Sequence, residues 1–224
     1  MLRLHYTPGS FFSRKVRITL AEKGLQYEPH VEGSSRNRSA GAFSALNPAL
    51  KVPALVDGHV TVFESDLIIE YLLRTYPESA SDGPKPPLAR TMTRPEYHWE
   101  DAKTLAVLNT AADTMVNLRY WAASGVDVLR VDYGRKQQSR FHTCLDWLEA
   151  RANPQGFIPG VFSFQDISLV CTLDYVDVRG EYLKGVLEWR GRPRIEAIVA
   201  GCGDRPSVRS TLPGPASKAG EPNR

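Results

Sequence analysis

The stretch from Lys51 to Ser65 constrains the fold most, because a strand start, a tight turn and a helix start follow one another within it. An apolar run comes after Pro53, and Asp57-Gly58 is a dipeptide that favours a two-residue β-hairpin turn. A helical pattern then begins, with one face formed by Ile68, Tyr71, Leu72 and Thr75. Ser65 is therefore predicted near a helix N-terminus, where unpaired N–H groups and the helix dipole favour a carboxylate.

The first part of the chain predicts an α/β unit. Alternation from Leu2 to Tyr6 indicates a strand, and residues 26–31 indicate a second strand that Pro29 places at a sheet edge. The helix between these strands has an apolar stripe formed by Phe12, Val16 and Leu20, with charged residues on the other faces, namely Arg14, Lys15, Arg17 and Lys23. With the hairpin and its helix, the order is βαβ followed by ββα, which predicts a thioredoxin-like domain over residues 1–77.

The second part of the chain predicts helices alone. A shift towards proline and glycine indicates a linker over residues 78–90, and an all-α helical bundle is predicted from 91 to 212. Its first long helix, from about Pro95 to Ala123, carries a heptad-like stripe that comprises Leu105, Leu108, Ala112 and Met115. Ser163 and Asp166 form a capping-box pattern before a nearly continuous apolar run, so that helix is expected to be buried. The tail from 213 to 224 is predicted to be disordered.

The composition excludes several classes of protein. The 224 residues are 42% hydrophobic and 24% charged, with a net charge of +3 that is too small and too scattered for a nucleic-acid-binding protein. The sequence contains neither a long apolar run nor a signal peptide, so we expect no membrane segment and a cytoplasmic location. The cysteines and histidines lack the spacing of metal ligands, and no metal is predicted.

The pattern around the hairpin resembles the glutathione-binding half of the glutathione S-transferases, in the residues Asn47-Pro48, Val52-Pro53 and Glu64-Ser65. The resemblance implies a cis Val52–Pro53 bond, with the backbone N–H and C=O of Val52 paired to the cysteinyl unit of glutathione. It also implies that Glu64-Ser65 bind the γ-glutamyl end and that Lys51 reaches the glycyl carboxylate. Ala49-Leu50 stands where many members have a small residue and glycine, so a different loop is expected before Lys51.

Activation of the thiol is the chemistry that such an enzyme requires. A thiol with a pKa of about 8.5 is only slightly ionised at neutral pH, and a hydrogen-bond donor near a helix N-terminus stabilises the thiolate. Pro8-Gly9-Ser10 resembles the theta-, delta- and zeta-like classes, in which the serine is this donor. We rank Ser10 ahead of Ser13 and Tyr6 as the catalytic residue. Taken without the resemblance, each serine is more simply interpreted as a helix cap. Ser10, Ser13 and Tyr6 therefore all stay candidates for the donor.

The resemblance also implies a pocket for a hydrophobic electrophile. Phe11 and Phe12 follow the candidate donor, and we expect Phe12 to belong to the core stripe and Phe11 to line the pocket. Met115 and Arg119, on the long helix, are further candidates for lining it. Taken alone, Met115 is more simply a core residue.

The sequence is thus identified as a member of the glutathione S-transferase family, of bacterial cytosolic type, over residues 1 to about 212. The implied function is detoxification by conjugation of glutathione, a co-substrate, to an electrophilic small molecule, with no metal, in a homodimer. One alternative is a glutathione-dependent isomerase or dehalogenase. Another is a non-catalytic module that binds proteins. Ser10, Lys51 and Glu64-Ser65 occur together in this sequence, which favours catalysis.

Overall fold

A computed structural model describes residues 1–33, 41–77, 88, 95–178 and 180–213. The described residues form two compact units. The first contains 1–33, 41–77 and 205–213, and the second contains 88, 95–178 and 180–204. The predicted linker, 78–90, and the predicted disordered tail, 213–224, lie outside the described residues apart from Leu88 and Pro213.

The first unit is a mixed four-stranded sheet with helices, as the predicted βαβ-ββα order requires. Its elements are β1 (Leu2–Tyr6), α1 (Phe11–Glu22), β2 (Tyr27–Val31), α2 (Phe43–Leu46), β3 (Ala54–Asp57), β4 (Val60–Phe63) and α3 (Ser65–Thr75). The strand order is β2-β1-β3-β4, with β1 parallel to β2 and antiparallel to β3. Pro29 lies in β2, at the edge of the sheet, where its missing N–H removes no ladder bond from a central strand.

The hairpin turn lies one residue later than the sequence predicted. Asp57 pairs with Val60, so the two loop residues are Gly58 and His59, and Gly58 adopts a φ of 58°. Asp57 stays in the strand because its carboxylate accepts hydrogen bonds from two tyrosine hydroxyls, that of Tyr71 at 2.8 Å and that of Tyr76. These bonds tie the C-terminal turn of α3 to the hairpin.

Helix α1 buries more than the predicted stripe. Arg14 and Lys15, which the sequence placed on outward faces, are almost completely buried, and Phe11 rather than Phe12 belongs to the core. The reason is that α1 is covered by α3 and also by a short helix, α9 (Pro206–Arg209), that belongs to the same unit. Arg14 Nη2 donates to the carbonyl of Val208, 3.2 Å away.

The segment after residue 204 joins the first unit, whereas the sequence assigned it to the helical domain. Arg205 Nη2 lies 2.7 Å from Glu22 Oε2, and the Ser207 hydroxyl donates to the same carboxylate. The last turn of α1 is therefore held by residues that lie near the other end of the sequence.

The second unit consists of helices. They are α4 (His98–Ala123), α5 (Asp132–Glu149), α6 (Phe164–Val178), α7 (Gly180–Leu183) and α8 (Pro193–Gly203), with 3₁₀ turns at Pro95–Tyr97 and Val128–Arg130. The predicted capping box is confirmed, because the backbone N–H of Ser163 donates to Asp166 Oδ2 at 2.8 Å and that of Asp166 donates to Ser163 Oγ at 3.2 Å. Helix α6 is buried along most of its length, as predicted. Among the helices that the structure describes, none is both long and apolar enough to span a bilayer.

The Asp57 cluster generates a test of stability against pH. The hydrogen bond from Tyr76 lowers the pKa of Asp57, and the same bond together with burial raises the pKa of Tyr76 to about 12. We expect Tyr76→Phe to lower the free energy of unfolding by about 1 kcal/mol at pH 7, because a partly exposed hydrogen bond to a carboxylate is lost. Because the folded-state pKa of Asp57 is depressed, this stabilisation is present above its unfolded-state pKa and is lost as the pH falls through the folded-state value.

The free energy of unfolding of wild type and of Tyr76→Phe is measured in urea at pH 7 and at pH 3. The difference in this free energy between the two proteins should be smaller at pH 3. Tyr27→Phe, in β2, is the matched control, since its hydroxyl has no hydrogen-bond partner among the described residues. An equal difference at both pH values would mean that the Tyr76 hydroxyl stabilises the fold independently of the charge on Asp57.

Candidate functional site

Ser10 is the N-cap of α1. Its backbone is extended, with φ −87° and ψ 118°, and its Oγ accepts a hydrogen bond from the backbone N–H of Ser13 at 3.2 Å. Its own N–H donates to the carbonyl of Thr7 at 3.0 Å, which closes the turn that Pro8 and Gly9 form. The Ser10 side chain is half-buried. A capping hydroxyl uses an oxygen lone pair, so its proton stays available for donation to a ligand.

The other two candidate donors lie in different surroundings. Ser13 is completely buried, and its hydroxyl has no hydrogen-bond partner among the described residues. Tyr6 is half-buried, and the guanidinium of Arg17 lies 5.0 Å from the centre of its ring. Of the two serines, only Ser10 has a side chain that solvent reaches.

The start of α3 is the second helix terminus of interest. Ser65 is its first residue and is buried, and Ile68 makes the first intrahelical bond, from its N–H to the carbonyl of Glu64 at 2.9 Å. The first N–H groups of any helix lack intrahelical acceptors and carry its positive dipole end, which suits a carboxylate. Glu64 precedes the helix with a φ of 69° and a ψ of 123°, a sparsely populated backbone conformation that costs a non-glycine residue about 1–3 kcal/mol. Such strain is typical of binding sites.

The loop that leads to Val52 is organised by Asn47, which is completely buried. Its amide donates to the carbonyl of Lys51 at 2.6 Å and its side-chain oxygen accepts from the N–H of Ala49 at 2.9 Å. Leu50 adopts a φ of 56°, the conformation that glycine adopts without strain, at the position where the sequence departs from the common pattern. The Val52–Pro53 bond is cis, as the resemblance implied.

An ion pair joins the two helix starts, and the sequence analysis missed it. Lys15 Nζ lies 2.5 Å from Asp66 Oδ1, and the hydroxyl of Ser65 donates to the same oxygen at 3.3 Å. The Lys15 side chain is only 2% exposed. A signal was present, since Phe11, Lys15 and Ile18 fall at i, i+4 and i+7, and a lysine on a buried stripe requires an anionic partner.

The candidates for the electrophile pocket belong to both units, and each is described within its own unit. In the first, Phe11 is buried and Phe12 is half-buried, with ring centroids 4.0 Å apart. In the second, Met115 is completely buried on α4, whereas Arg119, one turn later, is half-buried. Among the residues described, no group of three or more His, Cys, Asp or Glu side chains is arranged to hold a metal ion.

Sequence models of two domain families match this chain. Residues 4–80 match the glutathione S-transferase N-terminal domain, and residues 88–200 match the glutathione S-transferase C-terminal domain. The chain belongs to the glutathione S-transferase family. The thioredoxin-like and helical parts predicted from the sequence are thereby confirmed.

Individual relatives extend this comparison. Glutathione S-transferase 3 of Glycine max is 25% identical over 208 residues, which cover 92% of this chain and 87% of that protein. A stringent starvation protein A homolog of Haemophilus ducreyi is 36% identical over 104 residues, which cover 44% of this chain and 47% of that protein. The chain thus spans about half the length of the first curated relatives that it matches.

A solved structure with a similar fold is a glutathione transferase family member from Pseudomonas fluorescens Pf-5, which contains bound glutathione. It is 26% identical to this chain, with a TM-score of 0.76, and the alignment covers 96% of this chain and 100% of that one.

Proposed function

We propose that this protein binds glutathione and transfers its thiolate to an electrophilic carbon of a small molecule, whose leaving group departs. The observation that carries this proposal is the half-buried Ser10 hydroxyl at the start of α1, together with the ion pair by which Lys15 of the same helix contacts Asp66 in the first turn of α3. Such an arrangement offers a binding site for a charged end of glutathione and a hydrogen-bond donor for its thiolate.

Glutathione is held in the first unit. The backbone of Val52 pairs with its cysteinyl unit, and Glu64 and Ser65 bind its γ-glutamyl end. Lys51, which is exposed, reaches the glycyl carboxylate. Support comes from the buried helix start at Ser65 and the cis bond between Val52 and Pro53. The Pseudomonas fluorescens relative contains glutathione, which supports the same ligand here.

Ser10 activates the thiol. Its hydroxyl donates to the glutathione sulfur, and the N-terminus of α1 adds a field that favours the anion. The donor is preorganised, because the cap bond from the N–H of Ser13 already fixes the oxygen. Ser13 and Tyr6 remain the alternatives for this role.

The electrophile is a hydrophobic small molecule. Phe12 lines its pocket, since the half-buried ring of Phe12 is the one of the phenylalanine pair that can contact a ligand. Phe11, which is buried, contributes only by supporting that ring. Met115, which is completely buried on α4, belongs to the core of the second unit. The protein acts in detoxification in the cytoplasm.

A non-catalytic role is the second candidate function. The observation that favours it is the 36% identity to a stringent starvation protein A homolog over 44% of this chain and 47% of that protein. Glutathione-dependent isomerisation or dehalogenation is a variant of the first candidate, since the serine classes include enzymes of both kinds. The thiol pKa in the bound complex separates catalysis from the non-catalytic role.

Glutathione binding at α3 is tested by Ser65→Ala. We expect the variant to bind glutathione about 1–2 kcal/mol more weakly, because a hydrogen bond to a charged carboxylate is lost. Isothermal calorimetry measures this change. Thr61→Ala, on an exposed position of β4, is the control and should bind normally. Unchanged affinity in Ser65→Ala would remove Ser65 from the site.

The homodimer is tested by light scattering at micromolar concentration. We expect twice the chain mass of 24.9 kDa, because two-fold assemblies repeat each contact and are the commonest oligomers. A result equal to the single chain mass would refute the dimer.

Thiol activation by Ser10 is tested by a pH titration of thiolate absorbance in the glutathione complex. A neutral donor to an anion contributes roughly 1.5–3 kcal/mol, so Ser10→Ala should raise the pKa of the bound thiol by about one to two units. The rate below that pKa should fall about tenfold or more, with a smaller change in glutathione affinity.

Ser13→Ala and Tyr6→Phe serve as the comparison variants. A shift confined to one of them would transfer the role to that residue. A wild-type complex in which the thiol keeps its ordinary pKa would favour the non-catalytic role.

A further inference from the structure

A cavity lies on the face of the sheet in the first unit that points away from α1. Successive side chains of a strand point to opposite faces, and Tyr6 in β1 faces α1, since the guanidinium of Arg17 lies 5.0 Å from the centre of its ring. His5 therefore points to the other face, where its ring centroid lies 6.1 Å from that of Phe43 in α2. The cavity on that face has a volume of about 320 Å³, which is enough for one small molecule.

Two histidines and a carboxylate line the polar side of this cavity. His5 in β1 and His30 in β2 are register partners, and their rings stack with centroids 4.7 Å apart. Glu32 follows β2, and its Oε1 accepts a hydrogen bond from His5 Nδ1 at 2.8 Å. The side chains of Phe43 and Leu46, from α2, supply an apolar wall.

The polar groups of the cavity accept hydrogen bonds and have no proton left to donate. A carboxylate is an acceptor, so the proton of the bond between His5 and Glu32 belongs to Nδ1, and Nε2 of the neutral ring is a further acceptor. Among the described residues, neither His5 Nε2 nor Glu32 Oε2 has a hydrogen-bond partner. A ligand that enters this cavity must therefore supply the donors.

The charge of the cavity narrows the class of ligand. The side chain of Glu32 is only 21% exposed and that of His5 only 13%, so solvent screens this carboxylate less than it screens a surface charge. Within the described part of the chain, no lysine or arginine pairs with Glu32. An anion would be repelled, and a neutral donor would leave the charge uncompensated. An ammonium group supplies both a positive charge and three N–H donors.

We propose that this cavity binds a small primary amine in its ammonium form. The ammonium donates to Glu32 Oε2 and His5 Nε2, and the apolar part of the amine packs against Phe43 and Leu46. Ser10 begins the helix on the opposite face of the sheet, so the amine site and the candidate thiolate site are separate. Binding of an amine here does not require glutathione transfer.

The site is tested by calorimetry with benzylamine, benzyl alcohol and benzoate, which share a phenyl ring and differ in charge. In wild type at about 0.15 M salt, we expect benzylamine to bind most tightly and benzoate most weakly. Glu32→Gln should weaken benzylamine binding about tenfold or more, because a charge-assisted hydrogen bond is lost, and should change benzyl alcohol binding less than about twofold. The amide oxygen of glutamine still accepts from His5 Nδ1, so the contact between the strands is kept.

Glu28→Gln is the matched control in the neighbouring part of the same strand. The carboxylate of Glu28 also pairs with a histidine, His30 Nε2 at 2.9 Å, but its side chain is 50% exposed. Solvent screens such a charge, so this control should change the benzylamine affinity less than about twofold. Equal losses of affinity in Glu28→Gln and Glu32→Gln would overturn the proposal. Failure of benzylamine to bind wild type, or tighter binding of benzoate, would also overturn it.

NMR on wild-type protein locates the amine without any variant. We expect intermolecular NOEs between the ring protons of benzylamine and those of Phe43. Saturating glutathione should leave the benzylamine affinity unchanged, because the two sites lie on opposite faces of the sheet. Displacement of benzylamine by glutathione, or binding without NOEs to Phe43, would place the amine elsewhere and overturn the proposal. Amine binding with the expected pattern in a protein that transfers no glutathione would refute the proposed function and leave the amine site standing.

Discussion

The contact between Lys15 and Asp66 is the interaction on which the candidate site in the first unit depends. An ammonium that is only 2% exposed carries a large desolvation cost. The carboxylate of Asp66 offsets that cost, and it also lies in the first turn of α3, where a negative charge interacts favourably with the helix dipole. Lys15 in turn neutralises the charge of Asp66, which would otherwise repel an anion near the start of α3. One ion pair thus fixes α1 against α3 and preserves the attraction of the helix start for an anion.

The position of α1 also depends on the segment after residue 204. Glu22, in the last turn of α1, accepts from Arg205 and Ser207, and Arg14 donates to Val208. These contacts hold α1 near its middle, at Arg14, and at its end, at Glu22. The ion pair of Lys15 holds the same helix close to its start. A helix that carries a donor at its N-terminus must be fixed in this way, because small displacements of a donor weaken a hydrogen bond steeply.

Local patterns predicted the local features. Alternation identified β1, Pro29 identified the edge strand, and the Ser163–Asp166 pattern identified the cap of α6, since each depends on residues close in sequence. Features that depend on distant partners were missed. The turn moved to Gly58-His59 because tyrosines on α3 hold the Asp57 carboxylate, and Arg14 is buried because residues 194 positions later cover it. Phe11 belongs to the core for the same reason, since the faces of α1 that are buried depend on what packs against them.

The two interpretations of Ser10, as a helix cap and as a thiolate donor, are compatible. A cap uses an oxygen lone pair, which here accepts from the N–H of Ser13 at 3.2 Å. A thiolate donor uses the hydroxyl proton, which the cap does not engage. The cap bond restricts where the Ser10 oxygen can lie, so the donor does not have to be ordered when an anion forms beside it. Ser10 therefore stabilises α1 and also offers a fixed hydroxyl proton at the positively charged N-terminal end of that helix. A serine can do both because the hydroxyl on its short side chain both donates and accepts hydrogen bonds.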